Sequence, residues 1–70
     1  MMPLSEAREE DTVIIQRISG TMDERLHLAK LGIVVDAKVK ILHYMEGNLI
    51  IRIRDNRIAL DKSMAQKIFF

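Results

Sequence analysis

The 70-residue sequence contains no cysteine, which excludes disulfides and thiolate metal sites. A chain without cysteine fits a reducing compartment, and the cytoplasm is the expected location. No apolar run approaches the ~18–20 residues needed to cross a bilayer, so direct membrane insertion is not expected. The opening Met1-Met2-Pro3-Leu4-Ser5-Glu6 has no basic region followed by an apolar stretch, so it does not read as a signal peptide. Charge of one sign is missing too: 11 basic side chains face 10 acidic ones, for a net charge of +1. Such a balance gives no large field for steering nucleic acid or a membrane surface. Aromatic residues make up only 4%, which leaves few platforms beyond Tyr44 for stacking bases. Nucleic acid is therefore not an expected partner. The glycines at 20, 32 and 47 are isolated, so no phosphate-cradling loop is present. Repeats and low-complexity segments are also absent.

What the chain does have is apolar residues, at 49%. The length predicts one domain, residues 1–70. A chain of this size buries only ~60% of the surface its unfolded form exposes. Stability then has to come from a dense core of Ile, Leu and Val, without a disulfide.

The first anchor is Leu4, with Ser5-Glu6-Ala7-Arg8 expected as one helical turn capped by Ser5. Arg8-Glu9-Glu10-Asp11 reads as a solvated turn. Thr12 to Ile18 is rich in β-branched residues and closes on Ser19-Gly20, which predicts a strand. Ile14 and Ile15 are adjacent, so a bulge or burial on both faces is expected within it. Thr21-Met22-Asp23-Glu24 has the form of a capping box. A helix over about 22–31 follows, with Met22, Leu26 and Ala29 expected to line its buried stripe and Leu28 and Leu31 to widen it. Lys30 suits the last turn and Gly32 terminates it.

Beyond Asp36 the period changes to two. Ala37, Val39, Ile41 and His43 should point one way, and Lys38, Lys40, Leu42 and Tyr44 the other. Glu46-Gly47-Asn48 is expected as a three-residue turn, because Ile41 and Ile53 can share the core face only across an odd loop. That register pairs Met45 with Leu49, His43 with Ile51 and Ile41 with Ile53. On the outer face it sets Lys40 opposite Arg54, Leu42 opposite Arg52 and Tyr44 opposite Ile50. Asp55-Asn56 can adopt positive φ and lead into Ile58 and Leu60. Asp61 or Ser63 can cap a last helical turn, and Ile68-Phe69-Phe70 reads as a short strand.

The segments that carry a wider likeness are Pro3-Leu4-Ser5-Glu6-Ala7, Val13 with Ile18-Ser19-Gly20, and Arg25-Leu26 through Leu28 to Leu31-Gly32-Ile33. Ala37-Lys38-Val39-Lys40-Ile41, Ile51-Arg52-Ile53-Arg54, Ile58-Ala59-Leu60, Ala65 and Ile68 continue it over essentially the whole chain. In these residues the sequence resembles the ferrous iron transport protein A (FeoA) family, small cytoplasmic proteins with an SH3-like barrel. Arg25-Leu26-x-Leu28-x-x-Leu31-Gly32 is the most specific piece. Val35-Asp36 stands where the family usually has a Pro-Gly turn, and Glu9-Glu10 where a glycine often opens the first strand. The expected fold is mainly β: a small SH3-like barrel of about five short strands with one inserted α-helix and short helical turns. The resemblance implies an accessory role in ferrous iron uptake, by protein–protein interaction with the cytoplasmic part of the membrane transporter FeoB. A similar module occurs as the C-terminal domain of iron-dependent repressors.

No catalytic, cofactor or metal site is expected. Ser5, Ser19 and Ser63 have no nucleophile context. His27 and His43 lie 16 residues apart on different predicted elements, unlike the local spacing of metal ligands. The candidate docking surface is the outer face of the central hairpin. There Leu42, Tyr44 and Ile50 form an apolar patch rimmed by Lys40, Arg52 and Arg54. The helix around Arg25 is the next candidate. Weak self-association is compatible with such a patch. Two other readings stand beside this one: an RNA- or ribosome-binding SH3-like barrel, and the regulatory domain of a metal-dependent repressor.

Overall fold

The computed structural model describes residues 1–70. A 3₁₀ turn, Leu4–Glu6, leads into strands β1 (Thr12–Ile14) and β2 (Arg17–Ile18), helix α1 (Met22–Lys30), and strands β3 (Lys38–Met45), β4 (Asn48–Ile53) and β5 (Asn56–Leu60). A single turn, α2 (Lys62–Ala65), and strand β6 (Ile68–Phe69) complete the chain. The strands form a four-stranded sheet in the order β1-β3-β4-β5 and a two-stranded sheet of β2 and β6. This is the expected small SH3-like barrel, with six strands.

The segment 12–18 is not one strand. It changes sheets at Ile15, which is fully buried while its N–H donates to the Ala37 carbonyl at 3.0 Å. Gln16 then donates to Phe69 at 2.8 Å, already in the second sheet. The adjacent Ile14 and Ile15 are thus explained by a corner, with Ile15 in the core and Ile14 exposed. The second sheet continues through a bridge between Pro3 and Phe69 and a pair of hydrogen bonds between Met2 and Phe70, both 2.8 Å.

α1 starts and stops as its sequence dictates. The Thr21 hydroxyl accepts from the Glu24 N–H at 3.1 Å, and the Glu24 carboxylate accepts from the Thr21 N–H at 2.8 Å. At the other end Ile33 donates to Leu28 and Gly32 to Ala29, each at 2.9 Å. This is a Schellman motif, flanked by Leu28 and Ile33, both fully buried. Gly32 has φ +88°, a conformation that side chains with a Cβ resist. The first turn of the chain lacks the expected cap: Pro3 precedes it and Ser5 lies inside it, with no side-chain hydrogen bond at its start. Asp61 caps α2, accepting from the Met64 N–H at 2.7 Å.

The β3–β4 register departs from the sequence reading. The turn has two residues, Glu46 and Gly47, both at positive φ (52° and 83°), the form that suits the twist of a tight hairpin. Met45 therefore pairs with Asn48, Tyr44 with Leu49 and His43 with Ile50. A register shift at Leu42 then brings Ile41 opposite Ile51 and Lys40 opposite Arg52. The extra residue in β3 restores the parity that the core requires. It also exchanges the faces of two residues: His43 joins the outer side and Tyr44 the inner. The β4–β5 turn has positive φ at Arg54 (55°) rather than at Asp55 or Asn56. Ile41, Ile51, Leu49 and Leu60 form the central layer of the core, closed by Leu4, Leu28, Ile33 and Ile68.

Candidate protein-binding site

α1 anchors to the barrel through one side chain, Leu28, with Leu31 and Ile33 just beyond it. The expected stripe of Met22, Leu26 and Ala29 faces solvent instead: Met22 is 68% and Leu26 55% exposed. A nine-residue helix with one buried position leaves its i, i+4, i+7 row free, and the hydrophobic period alone does not say which row meets the barrel. Val34 and Val35, just past the Schellman turn, are also about half exposed. These side chains and Ile18, Ala29 and Ile33 line a groove of about 330 Å³, with Arg25 as its one charged wall. Exposed apolar side chains gathered around one groove make it the candidate docking surface. Arg25, the second candidate from the sequence, thus falls on the groove.

The hairpin patch does not assemble as expected. Tyr44 stands on the inner face of β3 but remains 42% exposed, and its hydroxyl donates to the backbone carbonyls of Ala7 at 2.7 Å and Ser5 at 3.1 Å. Its phenol pKa is raised, by burial first and by the Glu9 carboxylate second. Tyr44 is a strut under the first turn of the chain. Leu42 sits in the bulge and Ile50 in the next strand, both half-buried. Lys40 and Arg52 do meet on the outer face as a direct cross-strand pair, while Arg54 lies in the β4–β5 turn and joins no patch with them. Lys40 pairs with the exposed Glu10 at 3.4 Å.

Polar chemistry elsewhere is structural. The Glu24 carboxylate also receives the Lys67 ammonium, whose backbone carbonyl accepts from Ser19 N–H at 2.7 Å and Ser19 Oγ at 3.1 Å. The Lys67 hydrogen bond first and the Thr21 N–H second lower the Glu24 pKa from 4.5 to about 2. This cluster locks the start of α1 to the segment before β6. His27 lies on α1 and His43 on β3, and no three His, Asp or Glu side chains gather in a metal-holding geometry. No helix is long and apolar enough to cross a membrane.

The fold is a small barrel module with an exposed apolar row on its one full helix, beside a shallow groove. The FeoA domain model matches residues 2–70, and the chain belongs to the FeoA domain family. It is 31% identical over 68 residues to Fe(2+) transport protein A of Methanocaldococcus jannaschii, covering 97% of this chain and 83% of that one. A crystal structure of an iron uptake regulatory protein (FeoA) superposes with a TM-score of 0.86 at 31% identity, over 96% of this chain and 89% of that one. A manganese-dependent transcriptional repressor aligns with a TM-score of 0.85 at 26% identity, over 94% of this chain but 38% of the repressor.

Proposed function

We propose that this protein is a non-enzymatic accessory of ferrous iron transport that acts in the cytoplasm by binding the membrane transporter FeoB. The observation that carries the reading is the groove between α1 and the 33–35 segment, with Met22 and Leu26 turned outward beside Arg25. Two large apolar side chains held on a capped helix are pre-ordered for contact, so little freedom is lost on binding. Arg25 supplies a directed donor at the rim, the residue type favoured in binding hot spots. The family and the Methanocaldococcus relative support the iron-transport part of the proposal; the groove supports the docking part.

The test is interferometry with the cytoplasmic part of FeoB immobilised. Leu26→Glu places a charge in the groove without touching the core and should weaken the complex by ~2 kcal/mol or more. Arg25→Ala should weaken it by a smaller amount and reduce the salt dependence. Wild-type affinity in both variants would remove the groove from the interface.

A further inference from the structure

The four-stranded sheet turns one face to the core and the other to solvent. On the solvent side Lys40, Arg52 and Arg57 stand directly opposite one another across β3, β4 and β5. Buried Val39, Ile41, Ile51 and Ile53, which alternate with them, fix their outward direction. Strands ~4.8 Å apart hold these three cations within a span of about 10 Å. Like charges directly opposite each other destabilise a sheet. Only Lys40 has an ion pair, with a Glu10 side chain that is itself 76% exposed; Arg52 and Arg57 have none. Lys38 extends the row along β3, opposite Ile14. Four of the eleven basic side chains thus share one face, with Glu10 and Asp11 at its edge, leaving seven basic against eight acidic ones on the rest of the chain. The near-neutral total conceals a local excess of positive charge on this face.

We propose that this face docks a carboxylate-rich segment of a partner protein, lying across β3, β4 and β5. Two of the three cations in the row are arginines, whose planar forks pair with carboxylates in bidentate fashion. Carboxylates three or four residues apart on a helix lie ~5–6 Å apart, close to the strand spacing, so an acidic helix can meet the row cation by cation. The neighbouring row, His43, Ile50 and Ala59, offers apolar contact that suits a protein side chain. Phe69, Phe70 and Tyr44 all lie off this face, so it lacks the stacking platforms that bind single-stranded nucleic acid. Glu10 and Asp11 at its β1 edge oppose a flat anionic bilayer. The face shares no residue with the α1 groove, and the inference stands apart from the transporter reading.

The experiment titrates the full chain with three probes: a glutamate-rich helical peptide, phosphatidylglycerol vesicles and a single-stranded oligonucleotide. The peptide should bind best, and its affinity should fall about tenfold or more between low and moderate salt. Arg52→Glu converts the row into alternating charges, so that variant should fold at least as well as wild type and lose the peptide. Arg52→Thr, which only relieves the repulsion, should melt above wild type. Failure of the wild-type chain to bind the peptide would overturn the proposal, as would equal binding by Arg52→Glu. Tighter capture of the vesicles or the oligonucleotide would overturn it in favour of that class of ligand.

Discussion

The hydroxyl of Tyr44 donates to the backbone carbonyl of Ala7 at 2.7 Å, joining the bulged hairpin to the first turn of the chain. It has one proton to give, so the Ser5 carbonyl at 3.1 Å is the minor acceptor. Tyr44→Phe keeps the ring and should cost about 1 kcal/mol, a fall of roughly 4–8 °C in melting temperature for a domain of this size. Affinity for a partner docked at the α1 groove should not change. A variant with wild-type stability but weakened partner binding would restore Tyr44 to the interface.

Glu24 gives the protein an acid-sensitive joint. Its folded pKa of about 2 lies below the ordinary 4.5, so its contribution is complete above 4.5 and is lost as pH falls through about 2. A glutamine side chain at this position would keep an acceptor for the Thr21 N–H but lose the charge that holds Lys67. The melting temperature of Glu24→Gln should therefore lie below wild type at neutral pH. The gap should close as pH is lowered from 4.5 toward 2. A gap that is independent of pH would show that the carboxylate charge is not the cause.

Two positions at positive φ should respond in opposite directions. Gly32 at +88° leaves room for a Cβ, with nothing closer than 3.5 Å, but the backbone conformation itself is strained for valine, so Gly32→Val should cost about 1 kcal/mol or more. Arg54 at +55° already bears such strain. Arg54→Gly relieves ~1–2 kcal/mol against ~0.4–1 kcal/mol of added unfolded-state entropy. A net gain in urea midpoint is expected for it, and a loss for Gly32→Val.

Ile51 sits between Ile41 on β3 and Ile58 on β5 and is fully buried. Truncation to alanine should cost ~2–5 kcal/mol. A 70-residue domain has in total only ~0.05–0.15 kcal/mol per residue, so Ile51→Ala should be partly unfolded at room temperature. Equilibrium denaturation monitored by circular dichroism would measure this directly.

The legible parts of the sequence were those governed by local chemistry. Thr21, Glu24 and Gly32 specify both ends of α1 through backbone hydrogen bonds within a few residues, and the structure places all three as read. The face of α1 was not legible. Met22, Leu26 and Ala29 satisfy the helical period as well as a core stripe would, yet only Leu28, at the stripe's expected margin with Leu31, is buried in the barrel. The hairpin shows a second limit. Parity correctly put Ile41 on the core face, but an odd loop and an even loop with a bulge satisfy parity equally. The choice exchanged the faces of His43 and Tyr44 and so separates Tyr44 from Leu42 and Ile50. The basic row was hidden by register too: the bulge in β3 brings Lys40 opposite Arg52, and the two-residue turn at Arg54-Asp55 brings Arg52 opposite Arg57.

The corner at Ile15 sets an order of assembly. β3, β4 and β5 are joined by two-residue turns and can zip from local contacts. β2, by contrast, has no partner but β6, with Arg17 opposite Phe69, so the smaller sheet waits for closure of a loop of about fifty residues. The meander should therefore form early and the two-stranded sheet last. Because Lys67 follows the same route to Glu24, the start of α1 is secured in that final step. Helix and groove should thus become fully fixed only when the barrel closes, which would couple the proposed docking surface to completion of the fold.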